Sequence, residues 1–565
     1  MLSLEHEELS FVSGISDRPL MYRTVDEVLK GCARDTPEAL AMVFAHQGVR
    51  LSFAEFDRQV EWCARSLIAS GLEAGERIGI WAPNCLEWVL TLFAAARAGL
   101  ILVNINPAYR ASELKYALRQ VGCRALVYAS RFKSSDYRDL LSGLMPELAH
   151  AVSGELRSRS FPELRLLIET SAAPLKGALS FAELLARGER LPAAQERIRA
   201  KDPDGIFNIQ FTSGTTGLPK GASLSHFNIV NNGYFVGEGM SLSAADRVCI
   251  PVPLYHCFGM VLGVLAAMTH GAASVFPGEG FDAIAVLETI ARERCTALHG
   301  VPTMFIAELE HPRFKEFDLS SLRTGIMAGS PCPIAVMRRV IQEMHMPEVT
   351  ICYGMTETSP VSFQSQRGDT LERRVGSVGR VHPHVQVKIV DADGRVTRRG
   401  VGGELLTRGY SVMRGCWEEP ERTREVIDAA GWMHTGDLAV IDAAGYCNIV
   451  GRVKDMIIRG GENISPREIE EFLYGHPAIF DVAVIGVPDA KYGEEVCACV
   501  RLKPDTAATE EQIRDFCRGQ IAHYKVPRYV RFVDSFPLTV SGKVQKYLMR
   551  EQLRRDLNLL EETHA

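Results

Sequence analysis

The chain has 565 residues, 46% hydrophobic and 23% charged, with a formal net charge of −6. That apolar content excludes a disordered or collagen-like chain, and the lack of a positive excess excludes a general field for nucleic acid. The length allows roughly three to five folding units, or one large enzyme with a satellite.

The N-terminal string MLSLEHEELS carries three glutamates and neither Lys nor Arg. This is unlike a secretory signal or an Arg-rich presequence, so a cytoplasmic protein is expected. From about residue 24 to 200, helical periods alternate with apolar strand-like runs such as Leu40–Phe44, Arg77–Trp81 and Ala125–Tyr128. The same rhythm continues through Val248–Val252, Ala273–Phe276 and Thr324–Ala328. Such alternation predicts an α/β body of mostly parallel, doubly covered sheets. The longest apolar stretch, Cys257–Met268, is about 12 residues against the roughly 20 that span a bilayer, so no transmembrane helix is expected.

Past Val385 the turns Asp393-Gly394, Gly402-Gly403 and Ala444-Gly445 predict a small antiparallel, β-barrel-like segment. After Arg452 the order strand, helix, strand, strand, helix, strand predicts a smaller α+β domain. Ser465-Pro466-Arg467-Glu468 and Thr509-x-x-Gln512 read as capping boxes opening its helices. Domains of 1–451 and 452–565 follow. The fourteen cysteines include no Cys-x-x-Cys and read as buried free thiols, with Cys497 and Cys499 on one strand face.

The densest chemistry is Thr212-Ser213-Gly214-Thr215-Thr216-Gly217-Leu218-Pro219-Lys220-Gly221, directly after the β-rich Ile206–Phe211. Glycines let backbone N–H groups converge, hydroxyls add donors, and lysine adds charge, which together suit a polyphosphate. The spacing is not that of a Walker A loop. From composition alone a flexible surface turn remains an alternative.

The string resembles the signature loop of the adenylate-forming (AMP-binding) enzymes, which include acyl-CoA synthetases, aryl-CoA ligases, adenylation domains and luciferases. Further strings resemble that family's motifs in its order. They are Pro253-Leu254-Tyr255-His256-Cys257-Phe258-Gly259, Ala328-Gly329-Ser330-Pro331, Tyr353-Gly354-Met355-Thr356-Glu357, Thr435-Gly436-Asp437, Gly451-Arg452-Val453-Lys454-Asp455 and Ser541-Gly542-Lys543. The stretches around Arg459-Gly460-Gly461-Glu462 and Gly493–Ala498 look closest to medium-chain acyl-CoA synthetases.

The resemblance implies a ligase that joins a fatty acid to coenzyme A through an acyl-adenylate, releasing pyrophosphate and then AMP. ATP, Mg²⁺ and coenzyme A would be its small-molecule ligands. Adenylation of an aryl or branched acid, or loading of an acyl carrier protein, is the alternative. The phosphate loop, Gly329, Ser330, Pro331, Tyr353, Gly354, Asp437 and Arg452 would hold the nucleotide. Lys543 would bridge carboxylate and α-phosphate oxygens, Thr356 would donate to the α-phosphate, and Glu357 would hold Mg²⁺. His256 would orient the carboxylate or gate the acyl tunnel, although a lone His on an apolar segment also suits a core. Lys454 would be the hinge of a mobile C-terminal domain, and Gly460, Gly461 and Glu462 would face the thiol. Transient membrane association and a homodimer stay open.

Overall fold

The computed structural model describes residues 9–152, 156–192, 202–212, 219–330, 332–452, 455–460, 462–489, 491–538 and 544–556. Local chemistry sets many helix ends. Thr24, Ser52 and Thr509 accept the backbone N–H three residues on, while Glu27, Glu55 and Gln512 reach back to the cap. At Pro466–Leu473 proline takes the first position as expected, but Ser465 makes no cap bond. Its hydroxyl donates instead to the Val450 carbonyl, and Glu468 pairs with Lys525 at 2.5 Å. Both side chains of the expected capping box are taken by partners that the local sequence does not announce.

The chain divides into two units. The larger comprises Ser13–Gln386 and Thr407–Met433. Among its described residues, one eight-stranded sheet runs Leu179–Ser180, Leu166–Glu169, Cys123–Tyr128, Arg77–Trp81, Ile101–Asn104, Ile206–Thr212, Lys220–Ser225, Gly415–Cys416. Its first six strands are parallel and its last two turn antiparallel. A nine-stranded sheet contains the parallel neighbours Ala273–Phe276, Arg247–Cys249, Ala297–Gly300, Thr324–Ala328 and Glu348–Gly354. Helices follow most of these strands and cover both faces, which is why the strands read as continuous apolar runs. A buried ion pair joins helices beside the first sheet. Arg97 is 2% exposed and donates to fully buried Asp26 at 2.7 Å.

The apolar stretch Cys257–Met268 is core. Phe258–Leu265 forms a π-helix whose every residue is buried, continuing into the α-helix Ala266–Thr269. Among the described residues no helix is long and apolar enough to cross a membrane.

The smaller unit comprises the segment ending at Val12, Val387–Leu406, and the chain from His434 onward. It holds most of a five-stranded sheet ordered Phe11–Ser13, Val385–Val390, Gly403–Gly409, Met433–Ile441, Cys447–Arg452. Its second sheet runs Glu462–Ile464, Ile457–Arg459, Gly493–Leu502, Ile479–Asp489, with Tyr529–Phe532 parallel to Gly493–Leu502. Pro466–Leu473 and Glu510–Cys517 pack on one face, and Lys546–Asp556 on the other. The expected helix–strand order is present, with the small hairpin strand Glu462–Ile464 and the last helix added.

All fourteen cysteines are free, and twelve are buried. Burial pushes the Cys63 and Cys123 thiols up to about 12, which keeps them protonated and inert. Cys497 and Cys499 do share a face, the one under Lys546–Asp556.

Candidate active site

The stems of the expected phosphate loop face each other. Thr212 ends the strand Ile206–Thr212, Lys220 begins Lys220–Ser225, and the two are register partners in an antiparallel pair. The loop therefore joins strand to strand, whereas a Walker A loop runs into a helix. Ser213, Gly214, Thr215, Thr216, Gly217 and Leu218 lie outside the described residues. Pro219 is held from the side, where the Tyr116 hydroxyl donates to its carbonyl at 3.0 Å.

Glu357 lies across both stems. The Thr212 hydroxyl donates to Glu357 Oε1 at 3.0 Å, and Lys220 Nζ lies 3.0 Å from the same oxygen. The carboxylate side chain is 10% exposed and the lysine 20%. The pair is thus shielded enough for its charges to matter, yet open on one side to a ligand. Thr356 and Glu357 occupy the short 3₁₀ turn Thr356–Thr358, and the Met413 N–H donates to the Glu357 carbonyl at 2.9 Å. Gly354 permits this turn to close, because a Cβ there would sit 1.8 Å from the Pro360 carbonyl oxygen. Behind Lys220, burial raises the Cys416 thiol pKa while the lysine charge opposes that shift.

His256 belongs to the same neighbourhood. The Phe258 N–H donates to His256 Nδ1 at 3.1 Å, so Nδ1 is the acceptor and the neutral ring carries its proton on Nε2. Cys257 Sγ approaches His256 Nδ1 at 3.5 Å and the Thr356 hydroxyl at 3.7 Å. The aromatic–His segment and the Thr-Glu turn are therefore neighbours.

The residues expected on the adenine side sit at the carboxyl ends of adjacent parallel strands, where α/β sheets bind ligands. Ala328 and Cys352 are register partners, so Gly329 and Tyr353 emerge side by side. Gly329 takes a φ of +94°, a conformation that favours glycine, and Gly329 and Ser330 are exposed. Tyr353 is half-buried, its ring 6.0 Å from that of Phe363. Pro331 lies outside the described residues.

The remaining residues belong to the smaller unit. Asp437 and Arg452 are register partners on antiparallel strands, and Arg452 Nε donates to Asp437 Oδ1 at 2.9 Å. The aspartate side chain is 5% exposed and the arginine 61%, so a buried carboxylate carries a cation at the surface. Just before it, Gly436 has a φ of +69° and Thr435 donates to the Leu405 carbonyl at 2.7 Å. Gly460 has a φ of +59°, and its N–H donates to the Tyr492 carbonyl at 2.8 Å. Glu462 is the register partner of Arg459, whose guanidinium forks onto Glu495 at 2.7 and 2.9 Å. Lys454, Gly461 and Lys543 lie outside the described residues.

Sequence reasoning passed over several contributors. The π-helix after His256 and the Tyr116 bond carry no motif, and the Arg459–Glu495 fork joins two quoted stretches whose pairing the sequence does not state. Asn104, Asn208 and Gln210 are buried amides in the strands beside the loop, and the alternation Phe207-Asn208-Ile209-Gln210-Phe211 was the one signal that could have found two of them.

Among the described residues no group of three or more His, Cys, Asp or Glu side chains could hold a metal. One shielded carboxylate beside a hydroxyl fits a hard cation held mainly through ligand phosphates, as Mg²⁺ usually is.

The AMP-binding enzyme pattern matches residues 29–417, and the AMP-binding enzyme C-terminal domain pattern matches residues 468–543. A Bacillus subtilis (strain 168) protein provisionally named acyl-CoA synthetase YngI is 47% identical over 543 residues, 96% of this chain and 99% of its own. The mitochondrial medium-chain acyl-CoA ligase ACSF2 of Danio rerio is 47% identical over 558 residues, 97% of this chain and 91% of its own. The crystal structure of the anthranilate CoA ligase AuaEII with anthranoyl-AMP matches with a TM-score of 0.83 at 27% identity, covering 96% of this chain and 99% of that one.

Proposed function

The chain belongs to the AMP-binding enzyme family, and on that premise we propose that it is an AMP-forming fatty acid–CoA ligase acting on medium-chain acids. The observation that carries this is the Glu357 carboxylate held at 3.0 Å by both Thr212 and Lys220. It places a carboxylate, a cation and a hydroxyl at the mouth of a glycine- and threonine-rich loop.

The chemistry needs two displacements. A carboxylate oxygen attacks the α-phosphorus of ATP, the bond to pyrophosphate breaks, and acyl-adenylate forms. The thiolate of coenzyme A then attacks the acyl carbon and AMP leaves. Both steps gather negative charge, so the protein acts mainly by positioning and by placed donors. Lys220 and the loop would hold the β- and γ-phosphates, Thr356 would donate to the α-phosphate, and His256 would offer its Nε2–H to the acid. Mg²⁺ at Glu357, when bound, would neutralise charge on the phosphate oxygens. Asp437 would accept from the ribose hydroxyls, with Arg452 as its cation.

In the same reading Lys543 serves adenylation. A boundary at 451/452 with a hinge at Lys454 lets the C-terminal domain bring Gly460, Gly461 and Glu462 toward the thiol in the second step. A cytoplasmic location belongs to the same proposal.

The test is acid-dependent ATP–pyrophosphate exchange, followed by a panel of C4 to C16 and aryl acids read as AMP release with coenzyme A. The expected result is exchange with a maximum at medium chain length and CoA-dependent AMP release. ADP release, absence of exchange, or indifference to free coenzyme A would each overturn the assignment.

A further inference from the structure

Three carboxamides form a directed relay inside the larger unit. Gln210 and Asn208 lie on one face of the strand leading into the phosphate loop, and Asn104 ends the neighbouring parallel strand as Gln210's register partner. Gln210 Nε2 donates to Asn208 Oδ1 at 2.9 Å, and Asn208 Nδ2 donates to Asn104 Oδ1 at 2.9 Å. Asn104 Nδ2 then donates to the carbonyl of Tyr255, the residue before His256, at 3.0 Å. All three are 3% exposed or less.

The relay has one polarity. Asn208 Nδ2 also donates to the Leu102 carbonyl at 3.1 Å, and Asn104 Nδ2 faces another carbonyl, so neither amide can flip without opposing acceptors. A second buried amide grips the same segment. Asn84 accepts the Leu254 N–H at 2.8 Å and donates to the Val252 carbonyl at 3.1 Å.

Apolar residues would satisfy these sheet positions more cheaply, since a well-packed apolar pair can replace a buried hydrogen-bonded pair without loss. Amides at such sites gain direction rather than stability. Here the direction ends on the backbone of residues 252–255, where a single turn, closed by the His256 N–H donating to the Pro253 carbonyl at 3.2 Å, precedes the π-helix that begins at Phe258.

We infer that Asn104, supported by the Asn208–Gln210 relay and by Asn84, is a positioning residue that sets the Tyr255 backbone and hence the His256 ring for the acid substrate. The inference rests on the reading that the 253–259 segment faces the acid. It assigns the relay to acid orientation and not to ATP binding, although Gln210 stands two residues from Thr212. A displacement of about 1 Å at a reacting group costs roughly 100-fold in rate, so a loosened segment gives a measurable loss.

The test compares the full-length wild type with Asn104→Leu and Asn104→Asp in acid-dependent ATP–pyrophosphate exchange, with KM measured separately for acid and ATP, and with thermal melting. Asn104→Leu is expected to lose about 10- to 100-fold in kcat/KM for the acid while the KM for ATP stays within about twofold. Asn104→Asp keeps the acceptor for Asn208 but can donate to Tyr255 only when protonated. Its activity relative to wild type should therefore rise as pH falls from 8 to 6. Acid kinetics within twofold of wild type in a folded Asn104→Leu, or equal losses for acid and ATP, overturn the inference. If Asn104→Leu does not fold, the pH profile of Asn104→Asp decides, a flat ratio counting against the role. A wild type without acid-dependent exchange would refute the proposed function itself, which separates the two failures.

Discussion

Glu357→Gln isolates the central charge of the site. The amide keeps the shape and an oxygen that accepts from Thr212, now 3.0 Å away, but removes the negative charge 3.0 Å from Lys220. At an effective dielectric of about 20 the direct attraction across that distance is roughly 5 kcal/mol, most of it offset by desolvation. The net worth of a hydrogen bond to a charged group is about 1.5–3 kcal/mol, and the partly exposed lysine can recover some by turning to water. The fold should therefore survive with a melting temperature lowered by a few degrees. Catalysis should suffer more, because the same carboxylate would organise cation, lysine and phosphates where charge develops. Loss of one such group costs about 100- to 1000-fold, or roughly 3–4 kcal/mol of barrier. Acid-dependent ATP–pyrophosphate exchange should fall by that factor. Thioester formation from supplied acyl-adenylate and coenzyme A should change less than about threefold, because it uses neither the β- nor the γ-phosphate. Equal loss in both half-reactions, or a folded variant with unchanged exchange, would refute the assignment of Glu357 to the phosphates.

Lys543→Ala should abolish adenylation yet retain thioester formation from supplied acyl-adenylate, and single-turnover assays of the two half-reactions check this. Asp26→Ala removes the buried 2.7 Å partner of Arg97 while Asp57 and Glu61 still pair with the guanidinium, so the larger unit should lose about 1.5–3 kcal/mol, measured by urea denaturation. His299 is fully buried with its pKa lowered to about 4, chiefly by desolvation. The unfolded chain takes up a proton near 6.5 and the folded chain does not, so this stability is complete above that pH and is lost as pH falls toward 4, at about 1.2 kcal/mol per unit near pH 5. His299→Gln should flatten that slope in denaturation curves at pH 6.5, 5.5 and 4.5. A slope equal to wild type would remove the role of His299.

The local sequence was informative wherever a short string had to supply its own chemistry. Glycines at 214 and 217, hydroxyls at 212, 213, 215 and 216, and Lys220 suit a phosphate loop by composition, and the full string's resemblance to the AMP-binding signature is what set aside a plain surface turn. The capping box at Thr509 held because both partners lie within one turn. The box at Ser465 did not, because Val450 and Lys525 arrive from distant strands and loops.

Composition and motif order determined that this is a large α/β chain with a smaller α+β domain and the ligands of an adenylating enzyme. Tertiary structure decided which of those motifs touch. Thr212 and Glu357 are 145 positions apart, and Asn104 and Tyr255 are 151 apart. Hydrophobic periodicity tells each strand which face to bury, but not which strand will lie beside it. Neighbours in a sheet are chosen by packing the whole molecule, so the Glu357 clasp and the amide relay behind His256 exist only once the sheets are assembled.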